Sequence, residues 1–371
     1  MEVLNGAEDK TKVLEEGTSP KKKVDVSRPT TVMKGSDIYM LVGKHSRRDA
    51  TDQEDRGPDE GGLLFVKGEV CDEGASGKRI QWSDANAVPY ASFGELDSWT
   101  GLIGGGGSGV KMHDDTLVFP VEGTKKGDTE NDVKTVSLSI YNSKDTAASW
   151  KLSKGMSDGG CSVPSVVEWG EKEVKKLIMM TACGDGRRRV YEIGDKGELW
   201  TEALGTLSRV WGNKQGEGAK GVRSGFITAT IGDDEDKRNV MLVTLPVYSE
   251  EVDKKEKGEL HLWLTDNTHI VDIGPVSDDD AAASSLLYKS AGDNNEEEEL
   301  IALYEKDDGK PSPGMVSVLL TAQLQRVKDV LATWKKVDET VSKLCPSKSD
   351  ARDPSTDNAC STTVKITDGL V

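Results

Sequence analysis

The sequence predicts an all-β protein that ends in one long helix, and three observations carry that class. Many short segments rich in Val, Ile, Leu, Thr and Tyr follow one another at even spacing, separated by Gly/Asp/Asn/Lys turns. A strand–polar turn–Trp unit occurs twice, as IYNSKDTAASW and VYEIGDKGELW. Only near the C-terminus, over 321–344, does the apolar period lengthen from that of a strand to that of a helix. A sandwich, a barrel and a propeller all satisfy even spacing of many short strands.

Residues 1–27 are charged and weakly patterned and read as a loose lead-in to a β domain over 28–320. Ile38–Gly43 and Gly62–Val70 are the first strands, on either side of a charged loop. Further strands are expected at Thr116–Val121, Lys134–Tyr141, Lys176–Ala182, Arg187–Ile193, Phe226–Ile231, Asn239–Tyr248, Leu260–Thr265, Ser284–Tyr288, Leu300–Glu305 and Met315–Leu320. GGGGSG at 104–109 lacks the G-K-[ST] ending of a phosphate loop and reads as a flexible turn. SDDDA and NNEEEE read as solvated acidic loops without EF-hand spacing. In the helix, Leu324, Val327, Leu331, Trp334, Val337, Val341 and Leu344 recur every three to four residues and form one apolar stripe. The helix is bounded at 321–345, ahead of Pro346, and 346–371 has the Ser/Asp/Pro composition of a linker.

The two Trp-bearing turns share an Asp at their third place (Asp145, Asp195) and a Trp at their eighth (Trp150, Trp200). An Asp there caps the turn backbone, a small residue two on permits the bend, and the Trp packs back on the strands. SKDTAASW and IGDKGELW resemble the Asp-box, S-x-D-x-G-x-x-W, of sialidase-type propellers, with Ala147 and Ile193 as departures from it. In that motif the Asp is a turn residue, not a catalytic one.

A net charge of −17 argues against nucleic-acid and anionic-membrane binding, which rest on clustered Lys and Arg. The five cysteines include no C-x-x-C pair, and the four histidines are scattered, so no metal site is expected. Cys345 and Cys360 flank a polar segment and form a local disulfide only if the compartment is oxidising. The first residues have no apolar core of a signal peptide, no run reaches transmembrane length, and the end is not an anchor signal. No cofactor motif is present.

Three features are candidates for chemistry. Arg187, Arg188 and Arg189 sit on a strand, where alternation sends neighbours to opposite faces. One or two of them either face a cleft, as forks for a carboxylate, or form a solvated basic turn. Glu168 lies between Val167 and Trp169, and is either an outward strand residue or a carboxyl that has a raised pKa or needs a partner. Tyr288, in SSLLYK, is a plain strand aromatic unless a base adjoins it.

Four stretches are similar to the trypanosomal trans-sialidase superfamily of surface glycoproteins: VSRPTTVMKGSDIYMLVG, GCSVPSVVEW, RRRVYEIGDKGELWTEALGTLSRVWG, and LHLWLTDN with SSLLYK. TLSRVWG and LWLTDN are the most specific, and the resemblance covers roughly residues 20 to 371. It implies a six-bladed β-propeller, its first blade incomplete here, then a helix leading toward a lectin-like domain beyond this chain. It also implies a site for a terminal sialic acid. Such sites use a Tyr nucleophile, because the substrate is itself a carboxylate and repels an anionic one. The resemblance places Tyr288 at the nucleophile and Glu168 at its base, with Arg187 (or Arg188) at one carboxylate-binding Arg. Lys257 stands at a second such Arg, and Arg28 where active members have a pocket Asp. Gly314 stands at a supporting Glu and Lys255 at a sugar-stacking Trp, while the first clamp Arg and the acid/base Asp have no counterpart in the chain.

General acid–base help is typically worth about 10²–10⁴-fold, so these losses lead us to expect a catalytically inactive member. It would bind sialylated glycans, or host-cell or matrix glycoproteins, at the cell surface or after secretion. Weak sialidase or trans-sialidase activity and a truncated gene product without function are the alternatives.

Overall fold

The computed structural model describes residues 2–4, 12–14, 23–45, 62–72, 78–83, 86–88, 99–126, 133–142, 150–171, 174–194, 197–204, 207–211, 221–232, 237–248, 258–290, 298–306 and 314–344. The chain opens with β1 (Glu2–Leu4), whose partner comes last in the sequence. The first sheet is a meander of β2 (Lys12–Leu14), β3 (Lys23–Lys34), β4 (Asp37–His45), β5 (Gly62–Asp72) and β6 (Lys78–Trp82), with β7 (Asn86–Ala87) also on β5. The second contains β8 (Trp99–Gly104), β9 (Val110–Lys111), β10 (Leu117–Lys126), β11 (Val133–Asn142) and β12 (Trp150–Leu152); β8 and β9 both pair with β10. The third runs in chain order through β13 (Cys161–Glu171), β14 (Val174–Cys183), β15 (Arg188–Gly194) and β16 (Leu199–Glu202).

After the short α1 (Leu207–Trp211), the fourth sheet holds β17 (Phe226–Ile231), β18 (Arg238–Tyr248), β19 (Gly258–Thr265), β20 (Ile270–Lys289), β21 (Glu299–Lys306) and β22 (Gly314–Leu319). It is completed by β1, with Glu2 opposite Ser317. The helix α2 (Thr321–Leu344) follows within two residues of β22.

Period 2 explains the packing. Leu117 faces the core shared with the first sheet, and Val118 the core shared with the third. Leu177 and Met179 point back to the second sheet, whereas Ile178 and Met180 point on to the fourth. Met241 and Val243 meet the third sheet while Leu242 faces the core under α2. Central strands buried on both faces must read as continuous apolar runs, as LVFPV and LIMM do. The two turn tryptophans pack back as expected. Trp150 lies 4.9 Å, centroid to centroid, from Phe65, and Trp200 lies 5.7 Å from Tyr191. Asp145 and Asp195 lie outside the described residues.

Several expectations need correction. Residues 1–27 are not a loose lead-in throughout: β1, β2 and the start of β3 lie there, each held by an antiparallel ladder. The described residues form four sheets; in the fourth, β20 pairs with β19 over its first half and with β21 over its second, joining two ladders in one strand. SDDDA lies within β20: Asp279 accepts from the Tyr304 hydroxyl and Lys306, and Asp280 from the Gly258 N–H. GGGGSG is packed rather than loose. Gly105 and Gly109 donate to the Pro120 and Thr31 carbonyls, and a Cβ on Gly104 would stand 2.4 Å from the Arg28 carbonyl oxygen. A disulfide joins Cys161 to Cys183, register partners on β13 and β14. Cys345 and Cys360 lie outside the described residues.

Candidate functional site

A pocket of about 480 Å³ is lined by residues of β9, β13, β14, β17, β18 and β20. Glu168 and Tyr288 both line it, together with Lys111, Trp169, Lys175 and Asn239. It is a polar cleft with Trp169 and Tyr288 as its aromatic walls.

Glu168 reaches the pocket because it alternates with Val167, which is buried in the core between the third and fourth sheets. Both carboxylate oxygens are engaged. Oε1 accepts from the His113 backbone N–H at 3.0 Å and lies 2.7 Å from His113 Nδ1, and Oε2 accepts from Lys175 Nζ at 3.3 Å. Burial pushes this carboxyl up, but the hydrogen bonds from His113 and Lys175 outweigh it and hold the pKa below its ordinary 4.5. Glu168 is therefore an ionised, fully partnered carboxylate.

Tyr288, on the last turns of β20, donates its hydroxyl to the Thr230 carbonyl at 3.4 Å. Burial first, then the neighbouring Glu298 carboxylate, pushes the phenol well above its ordinary 10. The Tyr288 hydroxyl makes no hydrogen bond with Glu168. Of the lysines on the pocket wall, Lys111 pairs with Asp115 at 2.6 Å and Lys175 with Glu168.

The other expected residues do not join this pocket. Arg187 is exposed in the turn between β14 and β15, its backbone N–H donating to Asp185 Oδ1. Arg188 is the inward member of the trio: it is buried, donates Nη2 to the Val222 carbonyl at 2.9 Å, and is pushed down to about 10 by burial. Arg189 pairs with Asp158 and Asp185. Arg28 pairs with the buried Glu122, Nη1 to Oε2 at 2.5 Å. Lys257 and Lys255 lie outside the described residues, and Gly314 is the first residue of β22.

Sequence reasoning missed the partners of Glu168. His113 and Lys175 come from a turn and from a neighbouring strand, and no spacing in the sequence announces either. It also missed Arg223, which stands two residues before Gly225 at the start of β17 and lies over the glycine run. Among the described residues, no group of three or more His, Cys, Asp or Glu is placed to hold a metal.

Consecutive antiparallel sheets with cores between them, and a polar cleft between their strands, define a sialidase-like β-propeller. The chain belongs to the family described as BNR repeat-like domain, whose model matches residues 2–305. It is 32% identical over 331 residues to a sialidase of Trypanosoma cruzi, covering 86% of this chain and 26% of that protein. It is 34% identical to sialidase 85-1.1 of the same organism, covering 87% of this chain and 41% of that one. The chain thus spans less than half the length of these relatives. Trypanosoma rangeli sialidase in complex with sialic acid superposes with a TM-score of 0.70 at 31% identity, over 87% of this chain and 49% of that one. A microbial sialidase, Hz136, at 16% identity and TM-score 0.58, shares the fold. No helix among the described residues is long and apolar enough to cross a membrane.

Proposed function

We propose that this chain is a non-catalytic member of the sialidase fold that binds sialylated glycans or host-cell or matrix glycoproteins at the cell surface or after secretion. The observation that supports it is the state of the pair in the pocket. A phenol becomes a nucleophile when a base takes its proton as it attacks. Here Glu168 spends both oxygens on His113 and Lys175, and the Tyr288 hydroxyl donates to a backbone carbonyl beside a second carboxylate that keeps it protonated. Arg187, expected at the carboxylate clamp, and Arg28, expected where active members have a pocket Asp, are not on the pocket wall. Glu168 and Tyr288 are then vestiges that shape a binding cleft. The same reading takes the four sheets as part of a six-bladed propeller with an incomplete first blade, and Asp145 and Asp195 as Asp-box turn residues.

The test is turnover of a fluorogenic sialoside by the purified chain, beside binding to immobilised sialoglycoprotein. We expect binding without release of fluorophore. Reproducible turnover would overturn the proposal.

A second reading has one observation in its favour: Glu168 and Tyr288 do line a single pocket. If the chain is a weak sialidase through these residues, Tyr288→Phe abolishes its turnover. Turnover unchanged in that variant would reject this mechanism.

A further inference from the structure

Helix α2 reaches the strands that carry the pocket at two places where one side chain stands between the helix and the pocket wall. The first lies in its N-terminal half. Lys328 Nζ is 2.7 Å from Oε2 of Glu298, the residue before β21. That oxygen is buried, and the Glu298 carboxylate adjoins the Tyr288 phenol. The Tyr288 ring also packs against the core that Leu324, Val327 and Leu331 of α2 complete. The helix thus backs Tyr288 with both charge and apolar surface.

The second place lies in the C-terminal half. Arg238 donates Nη1 to Asp338 Oδ2 at 2.9 Å, and its guanidinium sits 5.5 Å from the centroid of Trp334. Neighbours on a strand point to opposite faces. β18 accordingly presents Arg238 to the helix and Asn239 to the pocket. Asn239 is the register partner of Thr230 on β17 and accepts from its hydroxyl at 2.7 Å. The carbonyl of the same Thr230 accepts from the Tyr288 hydroxyl. Both routes from the helix therefore end on one group of pocket residues: Tyr288, Thr230 and Asn239.

Ion pairs in full contact with water contribute little, but the inner partners here are shielded. The Glu298 side chain is 14% exposed and that of Arg238 26%. Taking away Lys328 leaves a largely buried carboxylate without its cation, and that is costly unless the carboxylate moves. A move of Glu298 alters the surroundings of the Tyr288 hydroxyl directly.

We propose that Lys328 and Asp338 are positioning residues for the pocket. Through Glu298 and Arg238 they fix Tyr288 and Asn239, so that docking of α2 and binding of a ligand in the pocket strengthen each other. Such coupling is reciprocal: a ligand that needs Tyr288 and Asn239 in place also holds the helix down. The helix is then part of the site as well as the element that follows the β domain. The ligand half of this inference rests on the reading that the pocket binds a sialylated glycan; the positioning half does not.

The test uses the full chain and two readouts. Without ligand, the ring signals of Tyr288, assigned with Tyr288→Phe, are followed by NMR of tyrosine-labelled protein. Lys328→Met and Asp338→Asn should each shift them. Lys328→Arg, which keeps the charge, should restore the parent position, and Lys336→Met, at an exposed helix position, should leave them unmoved. With ligand, sialyllactose is titrated by calorimetry, and Lys328→Met should weaken its binding about fivefold or more. Melting curves establish that each variant is folded. Tyr288 signals at the parent position in folded Lys328→Met or Asp338→Asn would overturn the assignment for that residue, because a merely stabilising contact lowers the melting temperature without moving them. Equal binding of sialyllactose by the parent and by Lys328→Met would overturn the coupling. A parent that binds no sialyllactose would reject the glycan reading alone, and the Tyr288 signals would still decide the positioning.

Discussion

Asp266 is 6% exposed in its side chain and serves four donors. It accepts from the Thr268 and His269 backbone N–H groups at 2.9 and 2.6 Å, from the His269 ring, and from Arg238. Burial opposes the charge, but the His269, Thr268 and Arg238 contacts prevail and hold its pKa below the ordinary 3.8. A carboxyl whose folded pKa is depressed stabilises the fold above its unfolded value, and that contribution is lost as pH falls through the folded one. Asp266→Asn should therefore cost about 2 kcal/mol at neutral pH, and the gap to the parent should close as pH falls below about 4. Urea midpoints measured from pH 6 to pH 3 check this. A gap that stays constant with pH would mean that packing, not charge, sets the loss. Gly225 carries a different kind of constraint. A Cβ there would stand 2.7 Å from both Leu286 Cγ and Thr244 Oγ1 and 2.8 Å from the Leu286 backbone N. Gly225→Ala should destabilise by about 1–3 kcal/mol through overpacking, read as a lowered midpoint with an unchanged denaturant slope.

At the scale of elements, α2 shows a gradient along one stripe. Leu324, Val327, Leu331 and Trp334 are buried on the fourth sheet, whereas Val337, Val341 and Leu344 are exposed. Trp334 ends the docked part: its ring stacks on His269 at 4.9 Å, and the Arg238 guanidinium sits 5.5 Å above it while also pairing with Asp338. Trp334→Ala should cost about 3–5 kcal/mol and Val341→Ala less than about 0.5, as compared by chemical denaturation. Equal losses would mean that the whole stripe is covered in solution. The helix was legible because its period is local, and β17 was legible because Phe226–Ile231 is bounded by turn residues on both sides. β20 was not. SDDDA reads as a solvated loop, yet the strand runs through it because Asp279 and Asp280 find Tyr304, Lys306 and the Gly258 N–H on neighbouring strands. Those partners are distant in sequence, as are His113 for Glu168 and Gly106 for Arg223. The sequence showed which residue types were available; which of them meet is a property of the sheet registers.

For the molecule as a whole, each sheet is a wall between two cores, so damage to one sheet is felt on both of its faces. The third sheet carries the one covalent bridge among the described residues. Cys161 and Cys183 are 22 residues apart and close the end of the β13–β14 ladder, the end opposite to Glu168. By the loop-entropy model a bridge of this span stabilises by about 3 kcal/mol, chiefly by restricting the unfolded chain. Its neighbours depend on it: the Cys183 N–H donates to the Arg187 carbonyl, the Gly184 N–H to the Gly160 carbonyl, and the strand that follows carries Arg188, which holds the segment of Arg223. Reduction should then do two things at once. It should lower the denaturation midpoint by the equivalent of about 3 kcal/mol, and it should loosen the contact of Arg188 with the Val222 carbonyl while leaving the Glu168 pocket, seven residues up the strand from Cys161, in place. Cys161→Ser/Cys183→Ser in oxidising buffer should behave as the reduced parent does, whereas Cys71, which is free, should be replaceable by Ser without effect on either. A parent midpoint unmoved by reductant would show that the bridge carries no stability. Amide-exchange protection of residues 221–225 unmoved in the double variant would show that the third sheet positions Arg188 without it.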